Sequence, residues 1–129
     1  MTDLKVYQSF QANANKVKNN FLHFLIEQKR LGKSIAGYGA AAKGNTLMNY
    51  AGLKHDLIDF VCDGAIYKQN TYMPGSHLPI LHPSELANRK PDWVVIFPWN
   101  IAKEVQEQEN IAQWGGKFVI AVPELSVLN

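Results

Sequence analysis

The sequence predicts an α/β domain in three layers: a mostly parallel sheet of four to five strands, helices on both faces, and a long helix leading into it. Three observations carry that expectation. Short β-rich apolar runs alternate with helix-compatible stretches along the whole chain, the pattern that gives parallel strands joined by right-handed crossovers. The run Trp93-Val94-Val95-Ile96-Phe97 is continuously apolar, as a strand covered on both faces must be. A glycine turn, Gly37-Tyr38-Gly39, lies between the first β-rich run and the next helix-compatible stretch, the strand-turn-helix opening of a Rossmann-type domain.

The elements follow in order. From about Leu4 to Leu31 there is neither proline nor glycine, and Val17, Phe21, Phe24, Leu25 and Leu31 recur at helical spacing, so one long helix ending at Gly32 is expected. Ser34 to Gly37 reads as the first strand, and the small residues from Ala40 to Ala51 as the helix behind the turn. Leu57 to Cys62 is a second strand closed by Asp63-Gly64, and Ala65 to Leu78 reads as a long polar and aromatic loop, the kind that carries function. Leu78-Pro79-Ile80-Leu81 reads as a short edge strand, because proline removes a ladder donor. A short helix starts at Pro83, Trp93 to Phe97 is a parallel strand buried on both faces, and Ile101 to Trp114 is a helix stopped by Gly115-Gly116. Lys117 to Val122 is a last strand, cut off at Pro123.

A chain of 129 residues suits a single domain, here 1–129. Hydrophobic residues at 47% and charged residues at 19% are ordinary for a globular protein and exclude a disordered or fibrous class. The net charge of +2 comes from scattered basic residues, which argues against nucleic acid as a partner. The one cysteine, Cys62, cannot form an internal disulfide, and none of the four histidines has ligand spacing, so no metal site is expected. No signal pattern opens the chain, and no stretch approaches the roughly 18 apolar residues of a membrane span. The cytoplasm is the expected compartment and no membrane contact is expected.

The glycine loop runs Gly37-Tyr38-Gly39-Ala40-Ala41-Ala42-Lys43-Gly44-Asn45. Its third glycine falls five positions after the second, where a dinucleotide fingerprint needs three, and Lys43 precedes Gly44, which breaks the phosphate-loop order. The physical principle survives both departures: backbone without Cβ atoms approaches a ligand closely, and N–H groups at the start of a helix favour an anion. Lys43 would add a point charge there. The competing reading is a tight turn whose alanines are small only to let helix and sheet pack. Asp63 ends the second strand where such folds place a ribose acceptor, or it belongs to a simple Asp-Gly turn. Tyr67, Lys68, Tyr72 and His77 either ring a pocket for a sugar or base or lie on the surface of a turn. Trp99 follows the most buried strand, suited to stacking on a ligand or closing the core, and Asn100 either touches the ligand or caps the next helix. No catalytic residue is assigned.

The wording of these segments carries a resemblance. Gly37-Tyr38-Gly39-Ala40-Ala41-Ala42-Lys43-Gly44-Asn45-Thr46-Leu47, Ile58-Asp59-Phe60-Val61-Cys62-Asp63, Tyr67-Lys68-Gln69, Met73-Pro74-Gly75-Ser76-His77, Pro79-Ile80 and Phe97-Pro98-Trp99-Asn100 occur in one order. Together they resemble the C-terminal domain of the S-adenosylmethionine-dependent sugar C-methyltransferases. The resemblance implies a Rossmann-like module that helps to hold a nucleotide-linked sugar beside a methyltransferase domain, in cis or in trans. It also implies that zinc, S-adenosylmethionine and the catalytic histidine belong to other domains, so no cofactor is expected in this chain and isolated methyl transfer is not. Two other functions stay open: a small dinucleotide-dependent oxidoreductase domain with Asp63 on the ribose, and a purely structural interaction domain.

Overall fold

The computed structural model describes residues 2–40, 48–98, 101–120 and 125–128. A first helix, α1 (Thr2–Arg30), leads into a mixed sheet of seven strands. These are β1 (Ile35–Tyr38), β2 (Val61–Cys62), β3 (Thr71–Tyr72), β4 (Pro79–Leu81), β5 (Trp93–Ile96), β6 (Lys117–Ile120) and β7 (Ser126–Leu128). Their order across the sheet is β3-β4-β2-β1-β5-β6-β7. The pairs β4–β2, β2–β1, β1–β5 and β5–β6 are parallel, while β3 and β7 pair antiparallel on the two outer edges. Two further helices are α2 (Glu85–Arg89) and α3 (Ala102–Gln108), and residues 48–51 are also helical.

Strand periodicity of two sends alternate residues to opposite faces, and the core divides accordingly. On one face Ile35, Val61, Val95 and Val119 pack with Phe21 and Leu25 of α1 and with Met48 and Ala51. On the other, Ala36, Cys62, Val94, Ile96 and Phe118 pack with Leu86 of α2 and with Ala102 and Val105 of α3. Each fully buried Phe or Leu of this kind contributes roughly 1.5–3 kcal/mol. The central helix contact is directional as well as apolar. Phe24 meets Trp93 edge to face at 4.9 Å between centroids, and the Trp93 indole N–H donates to Gln28 Oε1 at 2.9 Å.

The end of α1 follows from Gly32. Its φ of +79° is the left-handed region that glycine enters without strain. Lys33 N–H then donates to the Gln28 carbonyl and Gly32 N–H to the Lys29 carbonyl, the paired bonds of a Schellman stop. Leu31, expected on the apolar stripe, lies past the last turn and is exposed. A reciprocal tie then starts β1 beside β5: Ser34 N–H donates to Asp92 Oδ2 at 2.8 Å, and Asp92 N–H to Ser34 Oγ at 3.1 Å.

Several expectations need correction. The sheet has seven strands, where four to five were expected, because β3 and β7 are only two and three residues long and too short to show periodicity. The Ala65–Leu78 connection therefore carries structure, a 3-10 turn at Ile66–Lys68 followed by β3. Proline does not put β4 on the edge: β3 lies outside it, and Pro79 is tolerated as the first strand residue. The second strand proper is Val61–Cys62, because Ile58 is turned back onto the Lys54 carbonyl. The Ile101–Trp114 helix is broken. α3 ends at Gln108, Glu109 and Asn110 leave helical geometry, and Ile111–Trp114 forms a separate 3-10 turn. An acidic residue at a helix C-terminus opposes the helix dipole, and asparagine is a weak helix former.

Candidate site at the carboxyl ends of the parallel strands

Parallel α/β sheets place ligands beyond the carboxyl ends of their strands. Here that rim is formed by Gly39 and Ala40 after β1, Asp63 after β2, His82 after β4 and Pro98 after β5. Gly39 has φ +94°, and a Cβ on it would stand 2.7 Å from Pro98 Cγ and closer still to Cδ. Two residues earlier, within β1, a Cβ on Gly37 would stand 2.6 Å from Phe97 Cε2 and 3.2 Å from Val61 Cγ2. Both glycines are thus required by contact with the segment that leaves β5, whatever else the loop does.

Asp63 is the centre of the hydrogen-bonded part of the rim. Its Oδ2 accepts from Ala40 N–H at 2.8 Å and its Oδ1 from Ala65 N–H at 2.8 Å. Lys68 Nζ donates to the Ala40 carbonyl at 3.0 Å and stands 3.9 Å from Asp63 Oδ2. Gln69 Nε2 donates to the Asp63 carbonyl at 2.9 Å, and Thr71 Oγ1 to that of Lys68. Lys68 also lies 5.7 Å from the ring centroid of Tyr67, whose side chain is otherwise open to solvent at 80% exposure. These contacts bring Gly39, Ala40, Asp63, Tyr67 and Lys68 into one place.

His77 is not in that place. β3 runs antiparallel to β4, so the chain leaves the rim at Thr71 and re-enters β4 from the opposite, amino end of the sheet. The turn from Met73 to Leu78 is closed there by Met73 N–H on the Leu78 carbonyl at 2.8 Å and His77 N–H on the Met73 carbonyl at 3.0 Å. It docks on the helical residues 48–51: Asn49 Nδ2 donates to the Pro74 carbonyl at 3.3 Å, and a Cβ on Gly75 would stand 2.9 Å from Asn49 Cγ. The structure therefore splits the segment from Tyr67 to His77 between the two ends of the sheet.

Tyr38 is also turned away from the loop mouth. It is buried on the α2–α3 face, and its hydroxyl donates to Glu109 Oε1 at 3.5 Å. Burial, reinforced by the Glu109 charge, pushes the phenol up to about 12. Burial raises the Glu109 carboxyl as well, opposed by the Tyr38 hydrogen bond and by His82. The Cys62 thiol, in the same cluster, is pushed to about 12 by burial and then by Glu109 and Glu85. Lys43, Gly44, Asn45, Trp99 and Asn100 lie outside the described residues.

Sequence reasoning missed Gln69 and Glu109. Gln69 stood inside a quoted motif, but nothing in the sequence signals that its amide reaches back to Asp63. Glu109 is one carboxylate in an acidic run, and only the broken helix reveals its contact. Among the described residues no cluster of three histidines, cysteines or carboxylates is placed to hold a metal, and no helix is long and apolar enough to cross a membrane.

The described residues thus form an α/β domain with a glycine turn latched at its carboxyl rim. Comparison with known proteins is specific. The chain belongs to the C-methyltransferase C-terminal domain family, whose model matches residues 1–123. It is similar to the C-methyltransferase NovU of Streptomyces niveus, with 33% identity over 124 residues, covering 95% of this chain and 30% of that relative. The chain thus spans less than a third of the length of the curated relative that it matches.

Proposed function

We propose that this chain is the nucleotide-sugar-holding domain of an S-adenosylmethionine-dependent sugar C-methyltransferase, and that it does not transfer methyl groups alone. In this reading the fold is Rossmann-like, with the parallel strands in the order β4-β2-β1-β5-β6. The diphosphate of the nucleotide-linked sugar meets the glycine loop, with Lys43, Gly44 and Asn45 completing the anion cradle and Trp99 and Asn100 bordering it. S-adenosylmethionine sits on a methyltransferase domain in cis or in trans, and the assembly works in the cytoplasm.

The observation that carries the reading is the position of Lys68, inside a family whose relative is named a C-methyltransferase. Its ammonium is anchored on the Ala40 carbonyl at the glycine loop, and it keeps donors beyond that single short bond. Tyr67, held beside it and 80% exposed, supplies a face on which a base or sugar can pack. A cation and an exposed ring next to a glycine turn suit a ligand that is anionic at one end and planar or cyclic at the other.

The test is titration of the chain with thymidine diphosphate, followed by amide chemical shifts. Saturable shifts at Gly39, Ala40, Tyr67 and Lys68, weakened in Lys43→Met, support the reading. An unresponsive spectrum at millimolar nucleotide sinks a self-contained site. It would favour the second reading, a docking domain, to which the exposure of Ile66 at 83% and Tyr72 at 65% lends weight.

A further inference from the structure

The rim holds an arrangement that the ligand-holding reading does not by itself require. Both polar backbone groups of Ala40 are engaged by the segment that follows β2. Its N–H is taken by Asp63 Oδ2 at 2.8 Å and its carbonyl by Lys68 Nζ at 3.0 Å. The two side chains are themselves close, 3.9 Å apart, so one charge pair grips one residue from both sides. The second Asp63 oxygen holds Ala65 N–H at 2.8 Å, and the Asp63 carbonyl holds Gln69 Nε2 at 2.9 Å, which fixes the gripping segment in turn. Charge-assisted bonds of this kind are roughly twice as strong as neutral ones.

We propose that Asp63 and Lys68 form a clip that fixes the glycine loop at Ala40, and that Asp63 is thereby a positioning residue and not a ribose contact. The consequence is a selectivity. A dinucleotide needs the carboxylate after the second strand to face its ribose hydroxyls. Here each carboxylate oxygen already receives a backbone donor, and the Asp63 side chain is only 16% exposed. Among the described residues, the Lys68 ammonium keeps donors beyond its bond to Ala40, which suits a phosphate oxygen. The site therefore takes a nucleoside diphosphate or its sugar ester and discriminates against nicotinamide dinucleotides. The selectivity rests on the ligand-holding reading; the clip does not.

Amide spectra and hydrogen exchange of the isotope-labelled chain test the clip first, without ligand. Asp63→Asn is expected to move the Ala40 and Ala65 resonances and to speed their exchange by roughly tenfold, while Trp93 to Ile96 keep their positions. Lys68→Met is expected to disturb Ala40 while leaving Ala65 in place, and Lys68→Arg to restore most of the wild-type pattern. Titration with thymidine diphosphate and with oxidised nicotinamide dinucleotide follows. The wild type is expected to bind only the diphosphate, with affinity lowered about tenfold in Asp63→Asn and in Lys68→Met. Weaker diphosphate binding in Asp63→Asn with Ala40 and Ala65 undisturbed would make Asp63 a direct ligand contact and overturn the clip. Saturation of the wild type by the dinucleotide would overturn the selectivity. If the wild type binds neither, the ligand-holding reading and its selectivity fall together, while the ligand-free spectra still decide the clip.

Discussion

Gly39 and Pro98 are packed so closely that the turn after β1 and the exit from β5 form a single joint: a Cβ on Gly39 would stand 2.7 Å from Pro98 Cγ. Gly39→Ala therefore combines a left-handed φ of +94° with a clash against a rigid ring. We expect a loss of about 2–4 kcal/mol in urea unfolding. A loss under about 0.5 kcal/mol would mean that the two segments are not in contact.

The second joint, at the amino end, separates two effects that glycine substitutions usually mix. Gly75 has φ +85° and abuts the Asn49 side chain. Gly75→Ala is expected to cost about 1–3 kcal/mol alone, and to retain only the backbone part, about 1 kcal/mol, in an Asn49→Ala background. A double-mutant cycle reads the difference. Additive losses would show that Asn49 does not crowd the turn.

Glu109 makes a pH prediction with a definite sign. Its carboxyl is raised by burial, so the folded state binds the proton more tightly than the unfolded chain does. The stability linked to that proton is present below the ordinary glutamate range and is lost as pH rises through the raised value. Glu109→Gln keeps an acceptor for the Tyr38 hydroxyl and removes the buried charge. Thermal unfolding should therefore show the variant gaining on the wild type from pH 4 to pH 7, by less than about 1 kcal/mol. An unchanged difference across that range would show that Glu109 is solvated.

Cys62 is fully buried, and burial pushes its thiol to about 12. At pH 8 it should resist alkylation in the native protein and react only on opening, so its labelling rate reports the stability of the sheet. Labelling as fast as that of a free thiol would contradict its burial within β2.

The legible part of this protein was its periodic part. Phe21 and Leu25 at helical spacing and the unbroken Trp93 to Phe97 run announced a buried helix face and a buried strand, and both are found in the core. β3 and β7 were illegible because two or three residues carry no period, and their pairing depends on neighbours far along the chain. At the rim, residue type pointed to Asp63 and Lys68, but what those side chains touch was not in the pattern. Tyr38 and His77 lie apart from that group for a topological reason. One faces the other side of the sheet by strand alternation, and the other is carried to the opposite end by an antiparallel hairpin.

That hairpin gives the connection between β2 and β4 an unusual reach. It holds Ala40 at one end of the sheet through Asp63 and Lys68, and Asn49 at the other through Pro74 and Gly75. The stretch from 40 to 49 and the stretch from 63 to 77 are therefore one interchangeable cassette, not two. A chimera that imports either alone from a relative inherits mismatched ends, whereas one that imports both carries its own fittings.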